Sequence, residues 1–527
     1  MKSSTSPVSP APLVLVGHSL AVLVAATERA HRGLPTTIVN PGAQPLGGWF
    51  AGVQALGRRH DAGMMFFEFS SREEPIAPPR LDSYDPMKRN DVGRFCAVVR
   101  RYVQSYQSTR PIGMPRMWVD GQLLPDMMTG QGLSALPHLR ASAAIHRELS
   151  SISQQIRHDT VLWHPSNHKT WPVDASAPAD WSLAPAQHDA LRFDCDTLSR
   201  RLHGQSLHEA LFLPFARQML NRDASHLAAA YHQVPRLAMY APDALLAAMD
   251  GKATAPTAIF NHPQQHTVAD LCQQLAQMVR NDPLITLIED RILHLGGKPQ
   301  DFLLMLQAHG ELRARRLGWA LTPSDAISAA GMMAAPDVNS HLPLLLGFFR
   351  LPTDALRHGF SVVHAVSNDT GIYRVTHSTQ CGTPTEAGFT ELVIEANRER
   401  FTAFHGQLAD DGAIEQAMLH DLTTMTLLKP GSKPAAFELH RIDEGPALPT
   451  LDAVATSMDE RQRMQHHFPG IELLGDSAAP FATSLSDQII QGLQQAHRNE
   501  LDSDGIPMMP AQTMAAVTQT ENVAISH

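Results

Sequence analysis

Small and polar residues follow the first apolar run of the chain in an order that is typical of a nucleotide-binding turn. They stand at the end of a predicted strand or at the start of a predicted helix: Gly17, Ser19, Leu20, Ala21 and Asn40. A helix that begins here would aim its unpaired N–H groups and positive dipole end at the turn. Such a helix start can hold a pyrophosphate group.

The turn departs from the complete dinucleotide fingerprint, which is G-x-G-x-x-G followed by an acidic residue at the end of the second strand. Here those positions hold Gly17, Ser19, Val22 and Asn40. The Cβ of Ser19 narrows the backbone approach, Val22 pushes the helix from the strand, and Asn40 can still hydrogen bond to a ribose. Nucleotide binding and an ordinary α/β core therefore both remain open from this stretch alone.

Three further glycine-containing segments could let a ligand approach the backbone closely. Gly47, Gly48 and Trp49 lie in the loop after the second predicted strand, and Gly63 and Met64 precede an apolar run. Gly475 and Asp476 follow a predicted strand, and a helix begins shortly afterwards near Ser484, with Ser484 or Ser486 as its N-cap. Each glycine cluster is also compatible with a surface turn.

The elements that must position these residues alternate between strand and helix, which predicts an α/β fold with a Rossmann-like opening. Residues 13–16 and 36–39 read as buried parallel strands on either side of a helix over 20–32. Further strands are predicted at 284–288, 291–295, 302–306 and 317–323, and an antiparallel sheet at 344–349, 361–366, 371–376 and 391–396. Helical patterns are predicted at 92–106, 207–220 and from Thr267, with a hairpin at 118–124.

Composition and charge exclude several classes of protein. The 527 residues allow two or three domains, and a net charge of −10 with scattered lysine and arginine predicts no nucleic-acid partner. The four isolated cysteines indicate a reducing, cytoplasmic setting, and no apolar run predicts a membrane span. Residues 1–11 and 502–527 are predicted to be disordered tails.

A metal site is not predicted. His164 and His168 have the spacing of two ligands on a helix, but they lie in a loop-like Trp/Pro/Ser/Asn-rich stretch with no glutamate between them.

Four blocks of the chain, taken in order, resemble the flavoproteins that include amine oxidases, protoporphyrinogen oxidases, phytoene desaturases and UDP-galactopyranose mutases. They are Val16 to Ala21 with Gly33, Leu46 to Gly48, Asp61 to Gly63, and Leu474 to Asp476 with Leu485, Asp487, Ile489 and Gly492 behind it. The resemblance implies a discontinuous Rossmann-like, NAD(P)-binding-like FAD domain over 12–69, 260–330 and 465–498. Residues 70–259 and 331–464 would form an inserted substrate or cap domain, with helices and an antiparallel sheet.

The resemblance also implies a cofactor site, residue by residue. Ser19, Leu20 and Ala21 would offer backbone to the pyrophosphate next to Gly17, and Asn40 would face the adenosine ribose where the family uses a glutamate. Gly47, Gly48 and Trp49 would line the flavin, with Trp49 in place of a common arginine. Gly63 and Met64 would lie near the isoalloxazine and Ile292 near the adenine. Gly475 and Asp476 would contact the ribityl or pyrophosphate region, with Leu485 and Ser486 at the helix start.

The function that the resemblance implies is an FAD-dependent oxidoreductase that oxidises a C–N or C–C bond of a small metabolite, with oxygen as the expected acceptor. Two alternatives stay open: a flavin-dependent, non-redox isomerase of the sugar-mutase kind, and a scaffold or partner subunit that has lost the cofactor. Candidates on the substrate side are Tyr84, Arg110, Arg116, Arg236, Tyr373 and Arg374, of which Tyr373 and Arg374 are preferred as catalytic residues. An arginine there would anchor a carboxylate or phosphate, although a solvated or salt-bridged surface residue is the more common role for each of these residues.

Overall fold

The computed structural model describes residues 13–70, 80–85, 95–113, 115–119, 121–125, 142–156, 194–228, 242–250, 258–336, 340–366, 368–448, 450–479 and 483–498. His164, His168, Arg236 and the two predicted tails lie outside these residues.

The described chain alternates strands and helices. The strands are β1 (Val14–Val16), β2 (Thr36–Val39), β3 (Val53–Ala55), β4 (Arg58–His60), β5 (Phe67–Ser70), β6 (Thr109–Pro111), β7 (Arg116–Val119), β8 (Gln122–Pro125), β9 (Ala258–Pro263), β10 (Ile285–Ile288), β11 (Ile292–Lys298), β12 (Asp301–Leu306), β13 (Gly310–Ala314), β14 (Leu317–Trp319), β15 (Ser340–His341), β16 (Leu344–Pro352), β17 (Val362–Ala365), β18 (Arg374–His377), β19 (Phe389–Asn397), β20 (Ala436–Ile442), β21 (Ala447–Leu448) and β22 (Glu472–Leu473). The α-helices are α1 (Leu20–His31), α2 (Cys96–Gln104), α3 (Ala143–Ile156), α4 (Cys195–Leu207), α5 (Leu213–Leu220), α6 (Pro242–Met249), α7 (Val268–Asn281), α8 (Pro323–Ala329), α9 (Ser378–Cys381), α10 (Arg398–His405), α11 (Asp411–Thr424), α12 (Leu451–His467) and α13 (Leu485–His497).

A five-stranded parallel sheet joins three distant parts of the chain. Its order is β10-β2-β1-β14-β22, so strands from 14–39, 285–319 and 472–473 lie side by side. The three central strands, β1, β2 and β14, are short and largely buried, as expected for parallel strands covered on both faces. The predicted strands at 13–16, 36–39 and 284–288 are confirmed. The strand predicted over 317–323 ends at Trp319, because Thr322 caps the helix that begins at Pro323. Strands β11, β12 and β13 form a small antiparallel sheet between β10 and β14 in sequence.

Helices α1 and α13 cover one face of this sheet in close contact. A Cβ on Gly492 of α13 would lie 2.6 Å from Cβ of Val24 and 2.7 Å from the carbonyl oxygen of Ala21, so glycine sets the approach of the two helices. Thr267 caps α7 and Ser484 caps α13, each through a capping box, because an aspartate three residues on returns the hydrogen bond. These helix starts agree with the sequence-based predictions.

A second large sheet has seven strands in the order β20-β16-β19-β18-β17-β7-β8, and we call it the platform sheet. It is antiparallel except where β17 pairs with β7 in parallel. The predicted hairpin at 118–124 supplies β7 and β8, so both parts of the expected substrate domain contribute strands to this sheet. One face is apolar, and α11 packs on it through Met418 and Leu422.

The helical part of the cap differs from the prediction in one detail. Residues 207–220 were expected to form one helix, but a π-helical turn over His208–Phe212 precedes α5. Among the described residues, no helix is both long enough and apolar enough to cross a bilayer.

Candidate nucleotide and substrate site

The turn after β1 has the backbone that its glycine permits. Gly17 has a φ of +116°, and a Cβ there would lie 3.1 Å from the backbone of Ala320, which follows the neighbouring strand β14. Helix α1 then begins behind Ser19, whose backbone is extended as in an N-cap. The Ser19 hydroxyl nevertheless accepts no hydrogen bond from the helix. The N–H groups of Leu20 and Ala21 are thus left for another acceptor, whereas the Val22 N–H donates to the carbonyl oxygen of Ser19 at 3.1 Å.

Three blocks that are far apart in sequence meet at Ser19. Ser19 forms an isolated parallel bridge with Gly47, and the Gly47 N–H donates to the carbonyl oxygen of His18 at 2.7 Å. Gly475 approaches from the other side, with a φ of +61°. A Cβ on Gly475 would lie 2.9 Å from both Cβ and Oγ of Ser19, so glycine is needed for this contact. We call this meeting point, made of His18, Ser19, Asn40, Gly47 and Gly475, the phosphate corner.

Three buried polar atoms of the phosphate corner have no hydrogen-bond partner among the described residues: His18 Nδ1, Ser19 Oγ and Asn40 Oδ1. Asn40 is fully buried, and its amide donates to the carbonyl oxygen of Gln44 at 2.8 Å, which leaves the amide oxygen as an acceptor. Burial lowers the pKa of His18 and nearby Asp476 opposes this effect. Buried polar groups are normally paired, so unpaired atoms clustered at a helix start fit a polar ligand.

The Gly475–Asp476 block is partly engaged by the protein itself. The Gly475 N–H donates to Oε1 of Gln491 on α13 at 2.7 Å. Oδ1 of Asp476 accepts from the backbone N–H and the hydroxyl of Thr483, at 3.0 and 2.9 Å. Asp476 is otherwise exposed. Of the two serines considered as the cap of α13, Ser484 is the cap, whereas Ser486 is buried in the first turn, as is Leu485.

Trp49 connects the phosphate corner to the platform sheet. Its half-buried side chain packs against three apolar clusters, which contain Leu20 of α1, Tyr373 and Phe348 respectively. Gly48, with a φ of +58°, has open space where a Cβ would point, apart from His18 and Ser19 at nearly 4 Å. The predicted flavin-lining loop therefore lies between the corner and the platform.

A buried carboxylate lies directly beneath Gly63. Gly63 has a φ of +100°, and a Cβ there would lie 2.5 Å from the carboxyl carbon of Glu395 on β19. The next residue, Met64, donates its N–H to Oε1 of Glu395 at 3.1 Å. Only 2 % of the Glu395 side chain is exposed, so the loop at 63–64 sits on this carboxylate.

Tyr373 and Arg374, the preferred catalytic candidates, both bind Glu395. The Tyr373 hydroxyl donates to Oε2 at 3.1 Å, and the Arg374 guanidinium donates Nε–H to Oε1 at 2.5 Å and a second N–H to Oε2. The two-point pair fits the planar fork of arginine. We call Gly63, Met64, Tyr373, Arg374 and Glu395 the platform cluster.

Sequence reasoning missed Glu395, although its strand carries a signal. In β19, Glu391, Val393 and Glu395 alternate with apolar residues, and the register of β16 and β18 places all three on the face opposite α11. Buried carboxylates need partners, so two of them on one strand indicate a polar face turned towards another part of the fold.

Glu391 forms a second buried ion-pair cluster on the same face. It binds the guanidinium of Arg58 on β4, and Arg350 on β16 donates Nε–H to it at 3.0 Å. Burial, then the charge of Arg58, lowers the pKa of His60, which lies beside Glu391, to about 4. The cluster joins the β3–β4 hairpin to the platform sheet.

The remaining substrate-side candidates lie elsewhere. The Tyr84 hydroxyl donates to Asp487 of α13 at 2.7 Å, and Arg110 on β6 donates to the carbonyl oxygens of Gln380 and Cys381. Arg116 pairs in register with Val363, which places it on the face of the platform sheet opposite to Arg374.

The predicted adenine neighbour lies at the edge of the parallel sheet. The backbone N–H of Asn40 donates to the carbonyl oxygen of Ile288, the last residue of β10, at 2.8 Å. Ile292 begins the next strand, β11, four residues further along the chain. No cluster of metal-ligating side chains occurs within the described ranges.

The fold is similar to that of several solved enzyme structures. The chain is similar to reduced UDP-galactopyranose mutase, with a TM-score of 0.63 and 13% identity over 97% of this chain and 98% of that one. It is also similar to cyclohexylamine oxidase from Brevibacterium oxydans IH-35A, with a TM-score of 0.59 and 13% identity over 93% and 98% of the two chains. The third structure, wild-type putrescine oxidase bound to putrescine, has a TM-score of 0.56 and 12% identity over 93% of this chain and 98% of that one.

No protein-family model matches the chain, and no curated protein matches it by sequence. The expected fold resemblance to amine oxidases and UDP-galactopyranose mutases is thus confirmed at the level of the fold.

Proposed function

We propose that the protein is an FAD-dependent oxidoreductase that oxidises a C–N or C–C bond of a small metabolite. The observation that carries this proposal is the meeting of three separate blocks at Ser19, where Gly47 and Gly475 both contact the start of α1. A start of this kind, with its unpaired N–H groups and unpartnered polar atoms, suits a pyrophosphate.

The described residues fit such a cofactor. Ser19, Leu20 and Ala21 would hold the pyrophosphate next to Gly17, and the unpartnered Oδ1 of Asn40 would accept a hydrogen bond from a ribose hydroxyl. The other residues that would line the cofactor are those of the remaining blocks: Gly47, Gly48, Trp49, Gly63, Met64, Ile292, Gly475, Asp476, Leu485 and Ser486. When bound, FAD supplies the hydride-accepting chemistry that protein side chains lack.

The platform cluster would hold the loop at 63–64 rigidly and exclude water beneath it. Tyr373 and Glu395 are almost fully buried, and Arg374 is matched by Glu395, so its charge is largely compensated. An anionic substrate would have to share this guanidinium with a carboxylate that already binds it at two points. We therefore favour a neutral or amine substrate over the carboxylate or phosphate suggested by the arginine alone, consistent with the amine oxidases that share the fold.

The absorbance spectrum of the purified protein tests the proposal. We expect flavin bands, with FAD released into the supernatant on denaturation, and bleaching of those bands when an amine substrate is added without oxygen. A colourless protein that takes up no FAD on reconstitution would instead support the cofactor-less scaffold. That outcome would be explained by the hydrogen bond from the Gly475 N–H to Gln491, because it occupies a donor that a cofactor would otherwise use.

A second candidate is a flavin-dependent isomerase, because the mutase gives the highest TM-score of the three structures compared above. This function requires reduced flavin and produces no net oxidation. Turnover of a nucleotide sugar that appears only after reduction with dithionite would favour the isomerase, and amine-dependent bleaching would favour the oxidoreductase.

A further inference from the structure

We propose that the Ser19 side chain is itself a phosphate ligand, replacing the backbone approach that a glycine allows at this position. This inference rests on the proposed function, since it assigns a role at the same nucleotide site. The ordinary interpretation of a serine here is an eroded fingerprint, because its Cβ narrows the approach to the pyrophosphate.

The geometry around Ser19 shows that its Cβ is accommodated by the protein. Gly475 faces it, and a Cβ on Gly475 would come within 2.9 Å of Ser19 Oγ. The absence of a side chain at Gly475 thus leaves the space that the Ser19 side chain occupies. The protein therefore accommodates the Ser19 side chain beside Gly475, at the start of the helix.

The hydroxyl of Ser19 is available for a ligand. Serine is among the best N-cap residues, yet Ser19 does not cap α1, and its buried Oγ has no partner in the described part of the chain. Helix α1 also has no acidic residue in its first turn. An anion would receive a hydrogen bond from Oγ and meet the positive end of a 12-residue helix.

A second and independent observation points to a ligand at the same edge. Asn40, at the end of the adjacent strand β2, is 0% exposed, and its Oδ1 has no partner among the described residues. The Ser19 hydroxyl could donate to a phosphate oxygen, and Asn40 Oδ1 could accept from a neighbouring ribose hydroxyl. The chemical class recognised by this pair is therefore a ribonucleotide, with the phosphate at Ser19.

The experiment compares Ser19→Gly and Ser19→Ala in the full-length protein, with FAD and ADP as the titrated probes. If Oγ is a ligand, both variants bind FAD and ADP about tenfold to a hundredfold more weakly than the unmodified protein, as for loss of a hydrogen bond to a charged group. The phosphorus resonances of bound FAD should also shift in both variants. Ser432→Ala, at an exposed hydroxyl bonded to Lys429, is the matched control and leaves affinity unchanged.

The outcomes separate the two proposals. If the unmodified protein binds FAD but Ser19→Gly binds it equally well or more tightly, Ser19 is an eroded glycine and this inference is overturned while the proposed function stands. If neither the unmodified protein nor Ser19→Gly binds FAD or ADP, both fail. Should Ser19→Gly not fold, Ser19→Ala alone decides, since loss of affinity supports the inference and retained affinity overturns it.

Discussion

The phosphate corner and the platform cluster are both built from residues far apart in sequence, but they differ in whether their buried polar atoms are hydrogen-bonded within the protein. In the corner, the buried atoms of His18, Ser19 and Asn40 have no protein partner within the described chain. In the platform cluster, both oxygens of Glu395 accept hydrogen bonds from the protein.

This difference assigns different roles to the two regions. A buried polar atom without a partner costs free energy, so a set of them at a helix start is expected where a ligand completes the pairing. A carboxylate that is already bound by an arginine, a tyrosine and a backbone N–H contributes rigidity. Substitutions in the platform cluster should therefore act on stability, and substitutions in the corner should act on nucleotide affinity.

The largest effect is expected from Glu395→Ala. It leaves Arg374 without its carboxylate and Met64 without its acceptor, and breaking a buried ion pair costs about 3–5 kcal/mol. Urea unfolding followed by circular dichroism measures the loss. Glu444→Ala, at an exposed glutamate, is the control and should change stability by less than about 0.5 kcal/mol. A similarly small change in Glu395→Ala would show that the cluster does not stabilise the fold.

Gly63→Ala should be the next most damaging substitution. Its φ of +100° is unfavourable for alanine, and the added Cβ would meet the carboxylate of Glu395 at 2.5 Å. Gly57→Ala is the matched comparison, because Gly57 also has a positive φ, +80°, but open space around its Cβ position. Gly57→Ala should cost about 1 kcal/mol through backbone strain alone, and Gly63→Ala clearly more. Equal unfolding free energies in the two variants would mean that Gly63 is required only for its backbone.

These contacts mark the limit of what could be predicted from the sequence. The strand at 13–16, the helix cap at Thr267 and the cap at Ser484 were predictable because each depends on residues within a few positions of one another. The contact of Met64 with Glu395 spans 331 positions, and no local pattern encodes it.

The same limit applies within the phosphate corner. The glycine at 475 is identified from the order of the blocks, but its contact with Ser19 depends on the pairing of β22 with β14, the strand next to β1. The N–H of Gly475 is bound by Gln491, a residue that reads from sequence as an ordinary polar position of a helix. Pairing between elements therefore decides which of the predicted ligand-binding atoms remain available.

The buried histidine near Glu391 predicts how the platform responds to acid. Burial lowers the pKa of His60 to about 4, against 6.5 for an unperturbed histidine, so the unfolded chain binds the extra proton first. Its contribution to stability is complete above pH 6.5 and is lost as the pH falls from 6.5 to about 4. His60→Gln should flatten the dependence of the unfolding free energy on pH in this window. His466→Gln, at an exposed histidine, should leave the slope unchanged, and an unchanged slope in both would exclude His60 as its source.

The smallest effect on stability, and the clearest on affinity, is expected from Asp476→Ala when it is compared with Asp61→Ala. Asp61 is mostly buried and accepts from the backbone N–H of Ala269 at 2.8 Å, at the start of α7, so its loss should cost about 1–2 kcal/mol of stability. Asp476 is exposed and lies near His18, so its loss should cost less than about 1 kcal/mol.

Flavin occupancy should show the reverse order, because Asp476 borders the phosphate corner and Asp61 holds a helix end. The ratio of flavin to protein absorbance, measured after purification at equal FAD, gives the occupancy of each variant. Lower occupancy in Asp476→Ala than in Asp61→Ala is the expected result. Equal and full occupancy in both variants would place the cofactor away from Gly475 and Asp476, and would remove the distinction between a ligand-binding corner and a rigid platform.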